Sequence, residues 1–231
     1  MIDYNPKEWI KYIFYFQKGD TVRKLMPHIL GIGVYSTIVA YLLLVVWRVG
    51  ENTDLKNISL MHSLLGFVIS MLLVFRTNTA YDRWWEGRKQ WGGLLNAARN
   101  LSLKIHGLVG DQNPEVLEFY RVMIPNYAHA LKNHLRGRFI ANDFHELPAF
   151  KHSDLHLDDH IPNQIAAALF KKAVALQRKG IILPEHVLLI NTELESMTNI
   201  CGACERIKNT PIPLSYSSFI KKFISLYCLT L

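Results

Sequence analysis

The chain has 231 residues, of which 50% are hydrophobic and 19% charged, with a formal net charge of +7 and three cysteines. It is too apolar at one end for an ordinary soluble domain, and too poor in cysteine for a disulfide scaffold. The excess positive charge fits contact with anionic lipid headgroups better than contact with nucleic acid.

Residues 1–24 read as a cytosolic N-terminal segment. A cleaved signal peptide does not fit, because "DYNPKEWIKYIFYFQ" precedes the first apolar run and that run is too long for a signal core. From Leu25 to Trp47, 23 consecutive residues carry no Lys, Arg, Asp or Glu, and from Asn57 to Phe75 another 19 do the same. At about 1.5 Å per residue the shorter run makes roughly 28 Å of helix, close to the hydrocarbon thickness of a bilayer. Residues 25–79 are therefore expected to form two transmembrane helices joined by a short outer hairpin near Gly50.

Charge sets their orientation. Lys7, Lys11, Lys18, Arg23 and Lys24 precede the first run, and Arg76, Arg83, Arg88 and Lys89 follow the second. The loop between them holds Arg48 and Lys56 against Glu51 and Asp54. The positive-inside rule then puts the N-terminus and residues 80–213 in the cytoplasm of a multi-pass membrane protein.

Residues 80–213 read as an all-helical cytosolic domain without strands. Trp84, Trp91, Leu95, Ala98, Leu101, Ile105 and Leu108 keep helical spacing, so the second span should continue into the cytosol, with Gly92-Gly93 a candidate bend. Asn113-Pro114, Ile161-Pro162 and Leu183-Pro184 mark the starts of three more helices, since proline is at home in a first turn. Leu117, Tyr120, Ile124, Leu131 and Leu135 give the first of these its apolar stripe. Ile165, Leu169 and Leu176 serve the next, which Gly180 ends, and Leu188, Leu194 and Cys201 serve the last. Residues 214–231 read as the start of a third membrane segment. Its apolar end, "FISLYCLTL", supplies about 13 Å of helix, too little to span, so further spans are expected beyond residue 231.

Few side chains suggest chemistry. Cys201 and Cys204 form a C-x-x-C without a second pair to close a zinc site, which reads as small residues packing between helices. His152, His156 and His160 in "HSDLHLDDH" stand at i, i+4, i+8 beside Asp154, Asp158 and Asp159. They could hold a divalent ion if helical, but a solvated polar connector is the blander reading. No nucleotide-binding, Walker, nucleophile-elbow or zinc-protease motif is present. No enzyme activity, metal or cofactor is therefore expected. In the second span, Phe67, Met71 and Phe75 recur every four residues, while Ser63, Gly66 and Ser70 offer small surfaces for close helix contact.

Two stretches carry a family resemblance. "LLGFVISMLLVFRTNTAYDRWWEGRKQWG", with a Gly66-to-Phe75-Arg76 frame, and "CERIKNTPIPLSYSSFIKKF", with Cys204, Glu205, Arg206, Pro211 and Pro213, resemble the bacterial members of the bestrophin family. Phe67 and Met71 stand where relatives often have other apolar residues. The resemblance implies a homopentameric channel for inorganic ions in contact with membrane lipids, of chloride or anion type, with the second helix lining the pore. It makes Phe67, Met71 and Phe75 the pore neck and Glu185 the cytosolic aperture, where an acidic ring would admit cations. It makes Arg76, Arg83, Trp84 and Trp85 anchors at the inner membrane interface. The calcium clasp of eukaryotic relatives draws mostly on a segment beyond residue 231. Two other classes are a membrane redox or metal protein using His28, His62 and the C-x-x-C, and a non-conducting membrane scaffold.

Overall fold

A computed structural model describes residues 21–46, 53–111, 113–148 and 150–229. Lys7, Lys11, Lys18 and the hairpin near Gly50 lie outside them. Among these residues six α-helices follow in order: α1 (Thr21–Tyr41), continued by a π-helical turn at Leu42–Val46, α2 (Thr53–Val109), α3 (Pro114–Arg136), α4 (Ile161–Arg178), α5 (Pro184–Asn209) and α6 (Leu214–Leu229). Among the described residues there is no strand, and an isolated bridge joins Leu147 to Phe150. The chain divides into two compact units, Met1–Val74 with Ser215–Leu231, and Phe75–Leu214.

The segments Arg23–Val46 and Ser59–Val109 are long and apolar enough to cross a membrane, and no residue of their most apolar windows is buried within the chain. A core helix of a soluble protein would bury such a face, so this one is left for lipid or for other subunits. Two hydroxyls along these helices are satisfied locally: Thr37 donates to the Gly33 carbonyl at 2.8 Å and Ser70 to that of Gly66 at 2.9 Å. Gly66 also permits a close approach. A Cβ there would lie 3.3 Å from the Tyr227 hydroxyl of α6, and the Tyr227 ring stacks on His62 with centroids 4.1 Å apart.

The second unit is built from the end of α2 and from α3, α4 and α5. The three prolines do stand at helix starts. Gly137 and Gly180 take left-handed backbone (φ 63° and 72°) just beyond α3 and α4. Behind each, a backbone N–H reaches five residues back: Arg138 to Asn133 and Ile181 to Leu176, at 3.1 and 3.0 Å. This Schellman closure needs a residue without Cβ strain, which glycine supplies.

The core face of α2 is turned from the expected one. Leu94, Ala97, Leu101, Ile105 and Val109 are buried, whereas Trp84, Trp91 and Leu95 are exposed. Three- and four-residue steps through Leu101 and Ile105 admit two neighbouring stripes, and the packing partner selects one. Gly93 suits this choice, because a Cβ there would meet Ile200 Cδ1 at 3.3 Å. The helix continues through Gly92 and Gly93 without interruption. On α4, Ile165, Leu169 and Leu176 are buried as expected, while on α5 Leu188 is exposed and Ile190, Leu194, Met197 and Cys201 form the buried face. Two buried tyrosines tie the helices together: Tyr120 donates to the Leu169 carbonyl at 3.0 Å and Tyr127 to that of Met197 at 2.9 Å.

Candidate functional site

Phe67, Met71 and Phe75 occupy successive turns of α2, and their side chains are 68%, 46% and 54% exposed. In a single chain they touch too little to serve as core. Such a column of apolar side chains, repeated around a symmetry axis, can narrow a water-filled path.

Beyond the column the helix becomes basic and aromatic. Arg76 is partly buried. Arg83 turns toward α5: its guanidinium donates to the Ile207 carbonyl at 2.6 Å and to that of Thr210. Trp84 and Trp85 are exposed, their rings 6.2 Å apart, with the Lys89 ammonium 6.0 Å from the Trp85 ring. Glu86 pairs with Arg206 at 2.9 Å, and Lys104 with the buried Glu193 at 2.6 Å. Glu185 is exposed in the first turn of α5, directly after Pro184. A carboxylate there meets the positive end of the helix dipole.

The histidine-rich segment is a connector and not the helix that a His152–His156–His160 metal array would need. A short 3-10 turn at His152–Asp154 is followed by bends, so His156 and His160 do not share a helix face. Gln164 closes the loop instead, accepting from the His156 N–H at 2.9 Å and donating to its carbonyl at 2.8 Å. This pair holds the chain in a turn and competes with helix. His160 caps α4, its Nδ1 accepting from the Asn163 N–H at 3.2 Å.

His160 finds other company. His134 Nε2 and His160 Nε2 both lie against Glu205 Oε1, at 2.6 and 2.7 Å. Among the described residues, this is the set of His, Cys, Asp and Glu side chains close enough to share an ion, and it includes neither His28 nor His62. Burial alone would raise the Glu205 pKa, but the hydrogen bonds from His160 and His134 outweigh it and hold the carboxyl below its ordinary value. Cys201 and Cys204 are free and buried. Burial, and next the charge of Glu205, push the Cys201 thiol up to about 11, and the same causes raise Cys204. Neither thiol has the depressed pKa of a redox-active cysteine. Sequence reasoning missed His134 altogether, because it lies 71 residues from Glu205 and at no motif spacing.

The whole chain, residues 1–231, matches the family model described as Bacterial/Fungal Bestrophin protein. A voltage-dependent anion channel-forming protein of Mesorhizobium japonicum is 28% identical over 98% of this chain and 71% of its own length. A protein of the same description from Synechocystis is 34% identical over 70% of this chain and 54% of its own length. Another, from Escherichia coli, is 29% identical over 100% of this chain and 74% of its own length. The chain thus spans between about half and three quarters of these relatives. Among solved structures, single-residue variants of a bacterial bestrophin homologue from Klebsiella pneumoniae share the fold. One has a TM-score of 0.77 at 24% identity, covering 92% of this chain and 76% of that one. A second has a TM-score of 0.76 at 22% identity, covering 89% and 75%.

Proposed function

Because this chain belongs to the bacterial and fungal bestrophin family, we propose that it is a subunit of a homopentameric anion channel in the cell membrane. The observation that carries this reading is the uncovered apolar surface of α1 and α2, joined on α2 to the exposed column Phe67, Met71 and Phe75. Relatives described as anion channel-forming support the ion class.

Five copies of α2 line the pore, and rings of Phe67, Met71 and Phe75 make a hydrophobic neck that resists wetting. Phenyl edges carry partial positive charge, which lets an anion pass a ring that offers no fixed cation. Residues 1–24 and 80–213 face the cytosol, residues 25–79 form the first two spans, and residues 214–231 begin a third. Trp84 and Trp85 lie at the inner interface with Arg76, while Arg83 anchors α2 to the end of α5. Glu185 forms an acidic ring at the cytosolic mouth. Inorganic ions and lipid are the partners, and no enzymatic step is required.

Bilayer recording of the full-length protein in chloride salts tests the reading. Stepwise currents whose reversal potential follows the chloride gradient are expected. A folded pentamer that passes no current in recordings or vesicle flux assays would instead be a membrane scaffold.

A further inference from the structure

We propose that His134, His160 and Glu205 form a binding site for a zinc-class divalent cation within the helical domain, with the fourth position left to a water. The three donors come from three places in the fold: His134 from the last turn of α3, His160 from the N-cap of α4, and Glu205 from α5.

The donor set and its spacing point to this ion class. Both imidazole Nε2 atoms reach the same carboxylate oxygen, and Cys201 Sγ lies 3.9 Å from His160 Nε2. A tetrahedral zinc with bonds of about 2.0–2.3 Å sets neighbouring ligand atoms about 3.3–3.6 Å apart. The two nitrogen–oxygen contacts therefore open by about 0.7 Å, a shift within reach of side-chain rotation. Two imidazole nitrogens and one carboxylate oxygen suit zinc or cobalt and do not suit magnesium or calcium, which ask for oxygen throughout.

The site is open to solvent on one side and closed on the other. The side chains of His134, His160 and Glu205 are each about 30% exposed, whereas Cys201 is buried. His134 also lines an open cleft with Asn133, Arg138 and Asp159, which gives an ion a route in. Lys208 donates to the His134 backbone carbonyl at 3.3 Å.

Proton positions are compatible with loading. In the metal-free protein His160 Nδ1 accepts from the Asn163 N–H, so its proton sits on Nε2 and is donated to Glu205. Coordination through Nε2 moves that proton to Nδ1 and gives up the capping contact. The Asn163 N–H is not orphaned, because it also donates to the His160 carbonyl at 3.1 Å.

The full chain, freed of metal by chelator, is titrated with zinc alone and with cobalt alone. One equivalent per chain is expected, with the visible bands of four-coordinate cobalt and a rise in melting temperature with zinc. Cys201→Ser, outside the donor set, should leave uptake in place. Glu205→Gln and His134→Asn should each weaken zinc at least tenfold while the metal-free variants melt cooperatively. Wild-type protein that shows neither the cobalt bands nor a zinc-dependent melting shift overturns the proposal, whether or not the variants fold. So does tight uptake that Glu205→Gln and His134→Asn leave unchanged, which would place the ion on other histidines.

Discussion

The Arg83 guanidinium on α2 donates to the Ile207 carbonyl at 2.6 Å and to the Thr210 carbonyl beyond the last turn of α5. Helix α5 ends there because Pro211 and Pro213 cannot continue it, and its last carbonyls would otherwise face water or nothing. A guanidinium satisfies two of them and meets the negative end of the helix dipole. Arg83→Gln is expected to destabilise the domain by about 1–2 kcal/mol, read as a lower melting temperature. Arg83→Lys should recover part of the loss, since it keeps the charge but not the two-pronged geometry. An unchanged melting temperature in Arg83→Gln would reduce these bonds to a surface contact.

Buried phenols give the domain an alkaline limit. Desolvation raises the pKa of Tyr120 and Tyr127 well above the ordinary value. A raised pKa means that the folded state keeps its proton to higher pH than the unfolded chain does. The stabilisation is complete below about pH 10 and is lost as pH climbs toward the folded values. Phenolate absorbance should therefore stop short of the amplitude for all 10 tyrosines until the protein unfolds in base. Tyr127→Phe should cost about 1 kcal/mol, the worth of one bond to the Met197 carbonyl. Full ionisation of the folded protein near pH 10 would contradict the burial.

Much of the helical plan was legible because it rests on local chemistry. Proline fixes the backbone of a first turn, as at Pro114, Pro162 and Pro184, and Gly180 accepts the left-handed turn that closes α4. Which stripe of α2 faces inward was less legible. Leu94 and Leu95 are equally apolar, and only the approach of α5 at Gly93 decides between them. The His134–His160–Glu205 convergence was not legible, since three separate elements build it and no spacing along the chain records their meeting. The segment from His152 to His160 reads from the sequence as a polar connector, and side chain-to-backbone bonds from Gln164 hold it as a turn instead of the helix that the histidine spacing would need.

The neck proposal separates packing from permeation. Replacing Phe67, Met71 and Phe75 by alanine widens and wets a hydrophobic constriction, so chloride flux per pentamer should rise severalfold with a modest loss of stability. If the three were packing residues, each change would cost about 2–5 kcal/mol, and the yield of folded pentamer would fall without a rise in flux. Flux normalised to pentamer is the deciding measurement.

The proposed role of Glu185, exposed in the first turn of α5, is charge selection at the cytosolic mouth. One carboxylate at a helix N-terminus is a local stabiliser, but five around an axis make a ring that attracts cations and repels anions. The proposed ring would make the channel less anion-selective than a relative with a neutral residue in its place. Glu185→Gln should then raise the chloride-to-cation permeability ratio, visible as a shift of the reversal potential toward the chloride equilibrium potential in a salt gradient. The shift should shrink as ionic strength rises, because exposed charges are screened within about 10 Å at 0.1 M salt. Equal permeability ratios in wild type and variant, together with a lower melting temperature in the variant, would leave Glu185 as a helix-capping charge and remove it from the permeation path.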